Sequence, residues 1–285
     1  MASTMASEPD VLAADTFAAV RARFRQCLSG VSGLAVAFSG GVDSAVLLHL
    51  AVSELGGENV LALHARSPLF PEGRHRQICD RMLADFSRLC RVRVVPFAPL
   101  DIAGFTENSP DRCYLCKKTL YEQFLRLART EGVPTLADGV NADDEVNERP
   151  GWRAIQELAV MTPLRQMGMG KAAIRAYARR HGLANHDLPS QSCLATRLAP
   201  NFMIDEARLR LVARLEARIG ELLPDFRLRL SEDGWGCEVR GAAAENPALI
   251  DEAAIRRCFQ EHGLQLTRLT MAERGKNWFA EGKKQ

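Results

Sequence analysis

The chain has 285 residues, of which 47% are hydrophobic and 25% are charged. This composition is typical of a globular protein with a packed core and excludes an intrinsically disordered chain. The formal net charge is only +2, and no long block of Lys and Arg indicates a nucleic-acid-binding face, so nucleic acid is not an expected partner. No run of about 18 apolar residues is present, so no membrane-spanning helix is expected.

The N-terminal residues carry neither the basic segment nor the apolar segment of a secretion signal. We therefore expect residues 1–15 to form a disordered leader and the protein to be cytoplasmic. In that compartment the eight cysteines are expected to be reduced thiols rather than a disulfide framework.

Helices and strands alternate along the predicted first domain, residues 16–203. The predicted helices are 16–28, 44–51, 74–90 and 116–131, and the predicted strands are 33–38, 60–64, 92–97 and 133–137. Short apolar strands that alternate with helices predict an α/β fold, with a parallel sheet covered by helices on both faces. Ligands of such sheets bind at the carboxyl ends of the strands.

A different order of elements follows residue 204. The pattern predicts, in turn, a helix (205–223), two hairpin strands (226–230 and 236–240), a helix (247–262) and a strand (264–269). We therefore predict a second, small α+β domain over residues 204–285, which serves substrate binding or oligomerisation. A homo-oligomer is expected.

The hexapeptide Ser39-Gly-Gly-Val-Asp-Ser44 joins a predicted strand to a predicted helix. Gly40 and Gly41 let the backbone approach a ligand, and the free N–H groups at the start of the helix attract an anion such as phosphate. Ser39 and Ser44 can donate hydroxyl hydrogen bonds to phosphate oxygens, whereas Asp43 is better suited to bind Mg²⁺ or to cap the helix. The Walker A pattern is absent. A plain strand-to-helix turn is the alternative.

Three of the cysteines lie in segments that differ from the rest. Cys113 and Cys116 form a C-x-x-C pair that can reach one metal or cluster, and Cys193 lies in a polar segment. A structural zinc site requires four ligands, so the spacing leaves metal binding, cluster binding and a transient disulfide open. The other cysteines fit helical or strand patterns and are expected to be core residues, namely Cys27, Cys79, Cys90, Cys237 and Cys258.

Charged residues near these motifs are further candidates. Lys117 and Arg197 flank the cysteine motifs, where they could neutralise the charge of a phosphate or an adenylate, although solvated surface cations are the alternative. Gly139 and Asp143 follow the predicted strand 133–137. There the glycine would permit close approach of a nucleotide and the carboxylate could contact Mg²⁺, with helix capping as the alternative.

Four motifs together resemble those of the LarE family, in the same order along the chain. They are Ser39-Gly-Gly-Val-Asp-Ser44, Arg112-Cys-Tyr-Leu-Cys-Lys117, Asp138-Gly-Val-Asn-Ala-Asp-Asp144 and Pro189-Ser-Gln-Ser-Cys-Leu-Ala-Thr-Arg197. The first is similar to the PP-loop of ATP pyrophosphatases. LarE proteins are ATP-dependent sulfur transferases that mature the nickel-pincer nucleotide of lactate racemase. The resemblance covers residues 20–240.

The resemblance implies a PP-loop fold and a defined reaction. With ATP and Mg²⁺, the enzyme would adenylate a carboxylate of pyridinium-3,5-biscarboxylic acid mononucleotide, release pyrophosphate and then form the thiocarboxylate. The chain resembles the branch of the family in which three cysteines, here Cys113, Cys116 and Cys193, hold a [4Fe–4S] cluster. The open iron corner would carry a sulfide, so a sulfide source or a sulfur-delivery protein is an implied partner.

The resemblance also assigns roles within the site. Cys193, Cys113, Cys116, Lys117 and Asp43 would be catalytic, and ATP would be bound by the PP-loop with Gly139 and Asp143. Arg197, Arg227 and Arg229 would hold the phosphate of the mononucleotide, and the last two alternate along a predicted strand so that both face one side.

Two other functions stay open on the sequence. One is a PP-loop tRNA thiolase with a similar cluster, which would normally add an RNA-binding module and a basic face. The other is a nucleotide-binding redox sensor without enzymatic activity, which would bind ATP but release no pyrophosphate.

Overall fold

Two separate β-sheets organise the chain in the computed structural model, which describes residues 14–145 and 150–272. A four-stranded parallel sheet has the order β3-β2-β1-β4, and a three-stranded sheet has the order β5-β6-β7. The strands are β1 (Leu34–Ala37), β2 (Val60–Arg66), β3 (Arg91–Pro96), β4 (Thr135–Ala137), β5 (Phe226–Ser231), β6 (Gly234–Val239) and β7 (Leu266–Met271).

Helices occupy most of the chain between these strands. They are α1 (Ala14–Cys27), α2 (Val42–Leu55), α3 (Arg74–Phe86), α4 (Arg112–Thr130), α5 (Pro150–Glu157), α6 (Pro163–Gln166), α7 (Lys171–Arg180), α8 (Glu206–Ile219), α9 (Gly241–Glu245) and α10 (Glu252–Gln260). None of the helices in the described residues is long and apolar enough to cross a membrane.

Strands β1, β2 and β4 of the four-stranded sheet are largely buried. Core strand residues such as Leu34, Val36 and Leu61 have no exposed surface. One hydrophobic cluster contains residues of α1, α2, α3 and α7, and another contains residues of α4 and α5. Because parallel strands require covering helices on both sides, this arrangement confirms the predicted α/β fold.

The order of the strands reverses between β1 and β4. The chain runs from β1 outward to β2 and β3 and then returns to β4 on the other side of β1. At such a switch point the loops after the two neighbouring strands, here β1 and β4, diverge and leave a crevice for ligands. The loop 38–41 follows β1 and the segment 138–145 follows β4, so both predicted nucleotide-binding segments border this crevice.

Helix α4 begins earlier than predicted. It starts at Arg112 instead of residue 116, because Asp111 already accepts the first helical bond, from the Leu115 N–H to the Asp111 carbonyl at 3.0 Å. Cys113 and Cys116 therefore both lie in the first turns of this helix. The helix predicted over 74–90 ends at Phe86, and helices α5, α6 and α7 have no counterpart in the predicted elements.

The second sheet packs into a hydrophobic cluster that extends beyond the predicted second domain. Leu228 and Cys237 of this sheet share the cluster with Leu69, Phe105 and Leu194. The domain boundary at 203/204 stays a prediction, since residues on both sides of it contribute to one core. Most of the predicted leader 1–15 lies outside the described residues, and α1 already includes residues 14 and 15.

A histidine cluster joins α2 to α7. The Nδ1 of His49 lies 3.0 Å from the Tyr177 hydroxyl, and the rings of His49 and His181 are 4.7 Å apart. The pKa of His49 is lowered to about 4, mainly by burial and to a smaller extent by the positive charges of His181 and Arg21. His49 is therefore neutral in the folded protein near neutral pH.

This depressed pKa predicts that the free energy of unfolding falls as the pH drops from about 6.5 to about 4. Within that window the unfolded chain binds a proton at His49 that the folded chain does not bind, and the proton favours unfolding. The substitution His49→Gln should remove part of this pH dependence in urea unfolding measured at pH 7 and pH 5. The exposed His262→Gln is the matched control, and an unchanged pH dependence in His49→Gln would contradict the assignment.

Candidate active site

The loop after β1 has the form of an anion-binding turn. Gly40 has a φ of +82°, and a Cβ at this position would lie 2.6 Å from the Cys79 sulfur. A Cβ on Gly139, in the loop after β4, would lie 2.9 Å from the Ser44 backbone nitrogen. Glycine is required at both positions for different reasons, the first for backbone conformation and packing, the second for close approach of the two loops.

The hydroxyl groups of this loop bond to one another and to its backbone. The Ser39 and Ser44 hydroxyl oxygens are 3.1 Å apart, and the Gly41 N–H donates to the Ser39 hydroxyl at 3.3 Å. Gly41 is the N-cap of α2 and provides no side-chain cap. Because the N-cap residue has no side chain that could bond to them, the first N–H groups of α2 can bind a phosphate.

Asp43 combines a buried carboxylate with a neighbouring cation. One of its oxygens, Oδ2, lies 2.6 Å from the Lys171 ammonium, whereas the buried Oδ1 has no hydrogen-bond partner among the described residues. Burial raises the pKa of Asp43, and Lys171 partly offsets this effect. An unpartnered carboxylate oxygen beside a phosphate-binding turn fits a Mg²⁺ ligand.

Two residues missed by sequence reasoning hold this loop in place. Lys171, the first residue of α7, pairs with Asp43, and the buried Asn185 donates from its amide to the Gly40 carbonyl at 2.9 Å. Neither residue stands in a recognisable motif. Asp143 accepts a hydrogen bond from the Lys171 backbone N–H at 2.6 Å and so caps α7; its predicted role in ATP binding stays a prediction.

The C-x-x-C helix is anchored to the sheet through Asp138. This carboxylate accepts hydrogen bonds from Tyr121 and from the Val140 N–H and forms an ion pair with Lys117 at 3.1 Å. Burial alone would raise the pKa of Asp138, but the Lys117 charge and these bonds outweigh it and lower the pKa below its usual value. The Lys117 ammonium is therefore held by Asp138, beside the nucleotide-binding edge.

The three predicted cluster cysteines are neighbours in the fold. Cys113 and Cys116 lie at the start of α4, and Cys193 caps a short 3-10 turn at Leu194–Arg197. The pKa of Cys116 is raised to about 12, mainly by burial and to a smaller extent by Cys193 and Cys113. Burial also raises the pKa of Cys193, against the opposing charge of Arg112. Arg112 donates hydrogen bonds to the Cys113 sulfur and to the Ala195 carbonyl, so the start of α4 and the turn after Cys193 lie beside each other.

Within residues 14–145 and 150–272, no group of three or more His, Cys, Asp or Glu side chains is arranged to hold a metal ion. The cluster itself stays a prediction.

Arg197 is fully buried, with 0% of its surface exposed. Its guanidinium pairs with both oxygens of Glu216, at 2.7 and 3.0 Å, and donates to the Ser192 carbonyl at 3.0 Å. In this arrangement Arg197 supports the turn that carries Cys193. Its predicted contact with the substrate phosphate stays a prediction.

Arg227 and Arg229 lie on the same face of β5, opposite its buried residues. Arg229 pairs with Glu238 at 3.0 Å and donates to the Thr196 carbonyl at 3.0 Å. Arg227 makes a long hydrogen bond to the Ser190 carbonyl at 3.4 Å.

Positive charge accumulates around Arg227. Its pKa is lowered to about 10, mainly by burial and then by the charges of Arg240, Arg197 and Arg229, against the opposing charge of Glu238. Such mutual repulsion is relieved when an anion binds among the cations. Both strand arginines touch the segment 190–196, so the positive patch lies beside Cys193.

Comparison with known proteins gives three informative relatives. The chain is 31% identical over 199 residues to an uncharacterised protein of Synechocystis, covering 70% of this chain and 72% of that protein. It is 28% identical over 220 residues to pyridinium-3,5-bisthiocarboxylic acid mononucleotide synthase of Lactiplantibacillus plantarum, covering 76% and 78%. It is 30% identical over 198 residues to a probable tRNA sulfurtransferase of Thermus thermophilus, covering 67% and 48%.

No family profile matches the chain. The relatives include PP-loop proteins, and the parallel sheet with a glycine loop after β1 agrees with that fold. The predicted PP-loop ATP pyrophosphatase fold is thereby confirmed. The chain belongs to the LarE family of PP-loop, ATP-dependent sulfurtransferases.

Proposed function

We propose that this protein converts a carboxylate of pyridinium-3,5-biscarboxylic acid mononucleotide to a thiocarboxylate, using a [4Fe–4S] cluster held by Cys113, Cys116 and Cys193. The product would serve the nickel-pincer cofactor of lactate racemase, in the cytoplasm. The observation that carries the proposal is the contact of Arg227 and Arg229 with the segment that contains Cys193. It brings a candidate phosphate site beside the candidate sulfur carrier.

The first step activates the substrate carboxylate. A carboxylate oxygen attacks the α-phosphorus of ATP, the bond to the β-phosphate breaks, and pyrophosphate leaves as the acyl-adenylate forms. The loop 39–44 would hold the phosphates through its N–H and hydroxyl groups. Asp43 would hold Mg²⁺, which neutralises phosphate charge when bound, and Lys171 keeps the Asp43 carboxylate in place.

The second step replaces AMP by sulfur. Sulfide attacks the acyl carbon and the C–O bond to AMP breaks, so AMP leaves with its oxygen and the thiocarboxylate remains. Cys113, Cys116 and Cys193 would hold the cluster, which would supply this sulfide when bound. The chain's own residues orient this step. Asp138 fixes Lys117 and hence the start of α4, and Arg197 fixes the turn of Cys193. An external sulfide source or a sulfur-delivery protein would replenish the sulfur.

A PP-loop tRNA thiolase is the second candidate, because a probable tRNA sulfurtransferase is among the relatives. The chain spans 48% of that protein, and its small net charge of +2 gives little support to a nucleic-acid substrate. The mononucleotide is therefore the better supported substrate.

We predict that ATP is cleaved between its α and β phosphates. Labelled ATP should give AMP and pyrophosphate, and Asp43→Asn should slow this cleavage by roughly a hundred-fold, because a carboxylate that organises the phosphates is lost. The exposed Asp85→Asn is the control. ADP as the main product, or a wild-type rate in Asp43→Asn, would contradict the role of this loop.

The cysteine assignment makes a separate prediction. Anaerobic reconstitution should give one four-iron cluster per chain, and alanine at Cys113, Cys116 or Cys193 should strip or convert it. Iron and sulfide content and the absorption spectrum measure this result. Cys27→Ala, which replaces a cysteine that is not one of these three, should retain the full iron content. An unchanged ratio of iron to protein in all three single variants would refute the assignment.

The arginine patch predicts which substrate binds. Arg227→Ala should weaken binding of the mononucleotide roughly ten-fold to a hundred-fold, because a charge-assisted contact contributes about 1.5–3 kcal/mol. ATP affinity should hardly change, because the loop 39–44 follows β1 of the four-stranded sheet, whereas Arg227 lies on β5 of the three-stranded sheet. Arg210→Ala, an exposed arginine on α8, is the matched control.

Mass spectrometry of the products distinguishes the two candidate functions. The expected result is a mass gain on the mononucleotide, in reactions that contain ATP and a sulfide source, with no thiolation of tRNA. Thiolated tRNA without a mass gain on the mononucleotide would favour the thiolase instead.

A further inference from the structure

The cysteine pair and the third cysteine reach one place from segments that are far apart in sequence. Cys113 and Cys116 lie at the start of α4, whereas Cys193 precedes the 3-10 turn at Leu194–Arg197. Packing of apolar side chains brings these segments together but does not fix the direction of a thiol. Polar bonds that join the two segments directly would fix it.

Arg112 makes such bonds to both segments. Its Nη2 donates to the Cys113 sulfur at 3.3 Å, and its Nη1 donates to the Ala195 carbonyl at 3.2 Å. Nη1 also donates to the Asn108 side-chain oxygen. A planar guanidinium holds its donors in a fixed fork, so the position of the Cys113 sulfur depends on the position of the Ala195 carbonyl.

Asn108 keeps this fork in place. Its side chain is almost fully buried, at 1% exposure, and its φ of +55° is in the left-handed region that asparagine tolerates better than most residues. Its side-chain amide donates to the Ala199 carbonyl at 2.6 Å, and its backbone carbonyl accepts from the Asn201 N–H at 3.0 Å. Asn108 is therefore fixed to the segment that follows the 3-10 turn.

We propose that Arg112 and Asn108 form a bracket that holds Cys113 and Cys193 in register, which makes Arg112 a positioning residue for sulfur transfer. The inference rests on the proposed function for its purpose, but the bracket itself consists of bonds within the chain. Arg112, directly before the C-x-x-C pair, thus has a different role from Lys117, directly after it, because Lys117 forms its ion pair with Asp138.

The test uses the full-length, metal-free protein and a short thiol-to-thiol cross-linker, dibromobimane, with the cross-linked peptides identified by mass spectrometry. Wild-type protein should give a Cys113–Cys193 product. Arg112→Gln should lower its yield roughly ten-fold, the equivalent of about 1.4 kcal/mol. Arg112→Lys should lower it as well, because lysine retains the charge but lacks the fork. Yields are normalised to single alkylation of each thiol.

Two further variants complete the design. Asn108→Ala should also lower the yield, because the fork loses its support, and Arg126→Gln, on the exposed side of the same helix, should leave it unchanged. Circular dichroism and the thermal midpoint confirm that each variant is folded. If Arg112→Lys fails to fold, the result of Asn108→Ala is used, and if Asn108→Ala fails to fold, the result of Arg112→Lys is used. One residue of the bracket is therefore always tested.

The outcomes separate the bracket from the proposed function. A wild-type yield in both Arg112→Gln and Arg112→Lys overturns the bracket, whatever the iron content of the cysteine variants. A full yield in Arg112→Lys alone also overturns it, because charge rather than the fork would then position the thiols. A lower yield in all three bracket variants, together with unchanged iron in the cysteine variants, supports the bracket and refutes the cluster.

Discussion

The buried ion pair between Arg197 and Glu216 is the interaction on which the geometry of the site depends. A charge without solvent is tolerated only when it is paired and its hydrogen-bonding groups are satisfied. The Arg197 guanidinium meets this requirement with Glu216 and with oxygens of Ser192 and Thr196. The turn that carries Cys193 thus supplies hydrogen-bond acceptors to this one cation.

The same ion pair extends into the second sheet. Glu216 lies on α8 and also accepts a hydrogen bond from the Leu228 N–H at 3.2 Å. Leu228 stands between Arg227 and Arg229 on β5, so the carboxylate that neutralises Arg197 also fixes the strand that carries these two arginines. The turn that carries Cys193 and the strand β5 are therefore bonded to the same side chain.

Much of the framework could be predicted from the sequence, because it depends on local patterns. Apolar runs gave the strands, the alternation along β5 placed Arg227 and Arg229 on one face, and the glycine motif located the loop 39–44. These features need only neighbours in sequence.

The rest depends on partners that are distant in sequence. The pairing of Arg197 with Glu216 and of Lys117 with Asp138 joins residues that no local pattern connects. Lys171 and Asn185 carry no local signal at all, since their importance comes only from their contacts with Asp43 and Gly40. The early start of α4 was missed because the apolar periodicity becomes regular only after the cysteines.

The contact between Gly40 and Cys79 has a consequence for how such a chain can vary. The glycine backbone and the cysteine sulfur share one small volume, because a Cβ on residue 40 would lie 2.6 Å from that sulfur. A side chain at position 40 would therefore have to displace the side chain at position 79, which comes from α3, far from the loop in sequence. Which residue position 40 accepts thus depends on its partner at position 79 as well as on the backbone conformation of the loop.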